Sequence, residues 1–136
     1  MRVFIGDYEE NRKIEVEIHN YDTWNLDQTL SYIIHPLLIQ FRRYTDSAPV
    51  VDDEDVPVSL RKSSAPPVEN PWDTDEFFFD RWNYVLDEMI WAFGTLEQES
   101  DFWDGHTFDN DAYKRYADRK QNAYRLFGKY YQSLWQ

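Results

Sequence analysis

Five of the six prolines in the 136-residue chain fall between residues 45 and 72, in "TDSAPVVDDEDVPVSLRKSSAPPVENPW". Proline fixes φ and has no N–H, so neither a helix interior nor a central strand runs through such a stretch. The same stretch holds the acidic run Asp52 to Asp55. It is therefore expected to be a long, irregular and partly mobile connection, with the regular elements confined to its flanks. Neither flank alone carries enough apolar material for a core, so a single domain over 1–136 is expected, with 45–72 as a loop inside it.

On the N-terminal side, "RVFI" and "KIEVEI" alternate or run β-branched around the turn residues of "GDYEEN". This pattern predicts a short hairpin with Ile14, Val16 and Ile18 facing the core. The spacing then becomes helical. Leu26, Leu30, Ile33, Ile34, Leu37, Leu38 and Phe41 form one wide apolar face, with Asn25 as N-cap and Gln28 completing a capping box. Pro36 lies inside this helix, so a kink or a split is expected there.

Beyond the loop, "DTDEFFFDRWNYVLDEMIWAFGTLEQ" is the strongest helix, with Asp73 and Glu76 as a second capping box. Its stripe runs Phe78, Trp82, Val85, Met89, Phe93 and Leu96. A turn-rich link leads to "DAYKRYADRKQNAYRLFGKYYQSLW", whose core side is read as Tyr113, Ala117, Tyr124, Phe127, Tyr131 and Leu134. Gly128 weakens that helix or lets another backbone approach. The fold class is α+β, mainly helical: about three helices with a short N-terminal β-hairpin.

Charge narrows the partners. The net charge is −12 and uneven: residues 51–109 set 16 carboxylates against Arg61, Lys62 and Arg81, for a net −13, while residues 110–136 carry +4. A chain this acidic is not expected to bind a long nucleic acid backbone by counterion release. No run reaches 18 apolar residues, so no membrane partner is expected, and the start "MRVFIGDYEENRK" is too short and acidic for a signal peptide. With no cysteine there is neither a disulfide nor a thiolate site, which fits a reducing cytoplasm.

Motif chemistry is sparse. His19, His35 and His106 form no metal spacing, and four glycines leave no phosphate-cradling loop. No cofactor is implied. Asp22, Asp27, Asp87 and Glu88 could hold Mg²⁺ or Mn²⁺ in a nucleotide hydrolase, although paired E-x-x-E and E-x-x-D motifs are missing. The last helix interleaves Lys114, Arg115, Arg119, Lys120, Arg125 and Lys129 with tyrosines, a pattern that suits nucleotides. The bland alternative is that these cations neutralise the acidic 51–109 region within the fold. In "HNYDTWNLDQTL", Asp22 and Asp27 favour the positive end of a helix, but Trp24 beside Asp22 and Thr23 is left over. It could stack on a base or wedge between helices.

Long segments of the chain, "NYDTWNLDQTL", "IIHPLL", "VDDEDVP", "RWNYVLDEMIWAF" and "RLFGKYYQSLW", resemble a family of small proteins of tailed bacteriophages, marine T4-like phages among them. The resemblance runs from Asn20 to Trp135. It departs from the family pattern at His35, where an aliphatic residue is expected, and at Gly94, where an acidic one is more usual. The resemblance implies an accessory protein at work in the cytoplasm of the infected bacterial host, and it implies no mechanism. Residues and context together leave three functions. The first is a non-catalytic, oligomeric anti-defence protein that sequesters a nucleotide-type signal. Trp24 or Trp91 would stack the base, Arg81, Arg125 and Lys129 would hold phosphates, and Asp22, Thr23, Asp27 or Asp87 would read polar edges. The second is an acidic inhibitor of a host protein, and the third is the Mg²⁺-dependent hydrolase.

Overall fold

The computed structural model describes residues 1–95 and 99–136, and the chain divides into two compact units, Met1–Ile34 and His35–Gln136. The division falls inside a helix. Leu96, expected on the second helix's core stripe, lies outside the described residues.

The first unit opens with the expected hairpin. Strands β1 (Arg2–Ile5) and β2 (Ile14–Glu17) pair antiparallel, with Val3 opposite Val16 and Ile5 opposite Ile14. Alternation places these four β-branched residues on one face, and Arg2, Phe4, Glu15 and Glu17 on the other. The first face does not pack into a core, contrary to the sequence expectation. Ile14 is 64% exposed, Val16 57% and Ile18 60%. A two-stranded hairpin has only two faces to offer, and alternation does not say whether either is covered.

After a 3₁₀ turn at Asn20–Thr23, helix α1 runs from Leu26 to Tyr44. Asn25 stands just before it and its carbonyl accepts the Thr29 N–H at 3.1 Å. The helix passes through Pro36 as one element and does not split. Proline there removes the N–H that would bond the Tyr32 carbonyl, a loss the flanking turns absorb.

In the second unit the last turns of α1 lie against helix α2 (Phe78–Gly94), running in the opposite sense. His35 meets Gly94, the Phe41 ring stands edge-on to Trp82 at 6.5 Å, and Arg42 reaches Asp87 at 3.2 Å. Trp82, Val85 and Met89 are fully buried, as their spacing predicts, joined by Leu86 and Ala92. Helix α2 begins later than the Asp73–Glu76 capping box implies. Its N-cap position is Phe77, without a side-chain cap. Asp73 instead accepts from the Asn70 N–H at 3.0 Å, and Asp75 from the Phe77 N–H at 2.8 Å. Both carboxylates are spent on turns of the preceding loop, so neither caps the helix.

Helix α3 (Asn110–Tyr130) is capped by Asp109, whose side chain accepts the Ala112 N–H at 2.9 Å. It buries Ala123, Leu126 and Tyr130 against α2 and the loop, and leaves Tyr113, Tyr124 and Tyr131 exposed. The expected stripe is thus rotated by about one position. Tyrosine is amphipathic and fits either face, while Ala123 lets two helices approach closely. A minimal hairpin, β3 (Trp103–Asp104) with β4 (Thr107–Phe108), turns at Gly105, which has φ +63°. The structure is α+β and mainly helical, as expected. No helix among the described residues is long and apolar enough to cross a membrane.

Candidate functional site

The 45–72 segment contains three 3₁₀ turns, Asp53–Asp55, Val58–Leu60 and Lys62–Ser64, and two buried anchors, Val51 and Val56. Its firmest tie to the rest of the unit is electrostatic. The Asp55 side chain is wholly buried and accepts from Lys129 Nζ at 2.6 Å, the Tyr130 hydroxyl at 2.6 Å and Arg125 Nη2 at 2.7 Å. The Tyr130 oxygen also accepts the Asp52 N–H at 3.1 Å. Burial alone pushes the Asp55 carboxyl up, but the three donors outweigh it and hold it below the usual carboxylate range. Burial, then the bond to Asp55, pushes the Tyr130 phenol up to about 12. Lys129 is held protonated by Asp52 first and Asp55 second.

Asp52, Glu54 and Asp55 bring carboxylate oxygens within 4.8 Å of one another, the only such acidic group among the described residues. Lys129 Nζ contacts all three, at 2.7, 3.3 and 2.6 Å. The ammonium thus stands where a metal ion would have to, and the set fits an internal cation better than an added one. Asp22, Asp27, Asp87 and Glu88 do not belong to this group.

Each residue expected at a ligand site has an assigned environment. In the first unit Asp22 accepts the His19 N–H at 2.8 Å and lies 3.1 Å from the Met1 ammonium. The His19 bond, above all, lowers its pKa. Thr23 donates to the Asn20 carbonyl, Thr29 donates to the Asp22 carbonyl, and the Asp27 carbonyl accepts from Ser31. These bonds shape a helix entry, and Trp24 is left 78% exposed with its ring edge-on to Tyr21.

In the second unit Asp87 pairs with Arg42, and Trp91 lies 3.7 Å beneath the Arg119 guanidinium, which also grips Glu88 in bidentate fashion at 2.9 and 3.1 Å. Arg125 and Lys129 come together, but on Asp55. Sequence spacing had left open whether the cations of α3 hold phosphates or neutralise the acidic region, and Arg119, Arg125 and Lys129 do the latter. Arg81 differs from these, being 1% exposed at the edge of a cavity.

Two concavities adjoin at Asp73, Thr74 and Asp75. One, of about 220 Å³, is lined by Val50, Lys62, Trp72, Phe78 and Arg81 in addition. The other is an open groove walled by Pro66, Pro67 and Val68, with Glu69 and Glu76 on its polar side. Glu69, Asp73 and Glu76 have no ion-pair partner among the described residues. Of the groove and cavity residues only Arg81 was expected at a ligand site from the sequence. A tryptophan between Pro71 and two acidic residues was the available signal for Trp72, which is 80% exposed. Comparison with protein-family models, curated proteins and solved structures gave no match, so function rests on these residues alone.

Proposed function

We propose that the chain is a phage accessory protein that works by binding rather than turnover, docking its acidic 51–109 region on a basic surface of a host protein. The observation that carries this reading is the open groove. Pro66 and Pro67 form part of its wall, where proline fixes φ, and Glu69, Asp73 and Glu76 line it without an ion-pair partner among the described residues. Such a groove fits a Lys- or Arg-bearing extended segment, with rim charges acting mainly on association rate. Sequestration of a phosphate-rich signal by Arg125 and Lys129 fits less well, because both cations already neutralise Asp52, Glu54 and Asp55.

A defined probe separates a local site from bulk charge. An arginine-rich peptide is titrated against the wild-type chain, a Glu69→Gln/Glu76→Gln variant and a Glu9→Gln/Glu10→Gln variant, at low and physiological salt. All four residues are exposed. The groove variant is expected to lose most of the affinity and much of the salt dependence, and the hairpin-turn variant little. Equal losses in both would mean that only the net −12 attracts the peptide, and the proposal would fail.

A further inference from the structure

Arg81 carries five N–H donors on a side chain that is 98% buried, yet only Nε makes a hydrogen bond, to the Leu60 carbonyl at 2.7 Å. Nη2 lies 2.9 Å from Asp75 Oδ2 in ion-pair contact, but off the line of its N–H bonds. It is the one buried side-chain nitrogen or oxygen without a hydrogen bond among the described residues. Asp75 balances the charge, but a buried donor held off its acceptor's line gives up part of a hydrogen bond. This donor-rich group borders the 220 Å³ cavity.

The cavity's own lining selects what could satisfy it. Lys62 and Arg81 oppose Asp73 and Asp75, so the lining is close to neutral. A phosphate or sulfate would meet two carboxylates there and Glu69 and Glu76 in the adjoining groove. A bare cation would meet a buried guanidinium. Asp75 already pairs with Arg81 and Asp73 already accepts from Asn70, but an apolar guest would leave Lys62 and the remaining Arg81 N–H groups unserved. What remains is a neutral, planar group with acceptors on one edge and donors on another, seated against an aromatic ring. Trp72 and Phe78 supply such rings.

From this juxtaposition we infer that the cavity between Trp72, Phe78 and Arg81 is a nucleobase site. It takes the base of a nucleoside, with ring acceptors toward Arg81 and Lys62 and ring N–H groups toward Asp73 and Asp75. It prefers nucleosides to nucleotides, because the adjoining groove is acidic. The site shares Asp73, Thr74 and Asp75 with the groove, but its test stands apart from the docking proposal, since a protein partner needs no base and a base needs no protein.

Ligand-observed NMR and calorimetry on the full chain test this, using adenosine, guanosine, cytidine, uridine and their 5′-monophosphates. At least one nucleoside is expected to bind at sub-millimolar concentration, more tightly than its monophosphate. Trp72→Ala, at an 80% exposed position, is expected to weaken it about 5- to 150-fold, the range of base–aromatic stacking. Trp135→Ala, at a 71% exposed tryptophan that lines neither concavity, should leave it unchanged. Failure of every nucleoside to bind at millimolar concentration would overturn the inference. So would a preference for the monophosphates, or equal losses in the two tryptophan variants.

Discussion

Tyr130→Phe removes one oxygen and tests the clasp between loop and helix. That hydroxyl donates to a carboxylate with no solvent exposure and accepts the Asp52 N–H. A hydrogen bond to a buried charge contributes about 1.5–3 kcal/mol, and the bereaved Asp52 N–H adds a smaller loss. Lys129 and Arg125 remain on Asp55, so the charge is not stranded, and a total of about 2–3 kcal/mol is expected. Urea unfolding at pH 7 reads this as a lower midpoint at unchanged slope.

A second signature lies at high pH. The folded phenol titrates near 12 against an ordinary 10.0. Its contribution is therefore complete below pH 10 and is lost as pH rises through 12, because the folded state binds the proton more tightly. The loss across that window is about 3 kcal/mol, and the phenylalanine variant should lack that share of it. Asp55 acts in the opposite sense: its folded pKa is depressed, so its contribution holds above the ordinary carboxylate range and fades as pH falls through the folded value. A Tyr130→Phe protein within about 0.5 kcal/mol of wild type, or one with the full alkaline loss, would refute the clasp.

Two further substitutions probe packing. A Cβ added at Gly94 would fall 2.7 Å from His35 Cδ2, and the half-buried imidazole can turn aside to admit it, so Gly94→Ala is expected to cost no more than about 1 kcal/mol. In a His35→Ala background the same change should become neutral or stabilising, and a double-mutant cycle by thermal unfolding that finds the two changes additive would remove the contact. On the hairpin, Ile14→Thr and Val16→Thr should each shift stability by no more than about 0.5 kcal/mol, because both side chains are more than half exposed. A cost above 2 kcal/mol in urea unfolding would mean that this face is covered.

His35 and Gly94, 59 residues apart in the chain, meet in the fold, and the imidazole occupies the space that a side chain at 94 would need. Helical spacing places each residue on its own helix but carries no information about which turn of another helix it meets.

By itself the sequence determined the class of the fold, the hairpin, three helices and the proline-rich connection between them. Those follow from local physics: β-branched alternation, spacings of three and four, and prolines that regular elements do not admit. It also determined the Trp82–Val85–Met89 stripe, because α2 has a single strongly apolar face. Only the tertiary structure decided the face of α3, where amphipathic tyrosines fit either side and Ala123, Leu126 and Tyr130 are the residues buried. It alone moved the start of α2 to Phe78, since Asp73 and Asp75 could serve a helix or a turn equally well. The fate of the charges was tertiary too. Asp55 meets Arg125 and Lys129 across 70 and 74 positions of chain, and Arg81 enters the interior on a helix whose pattern reads it as surface. A charge finds its partner through the packing of other residues, and no periodicity records that choice.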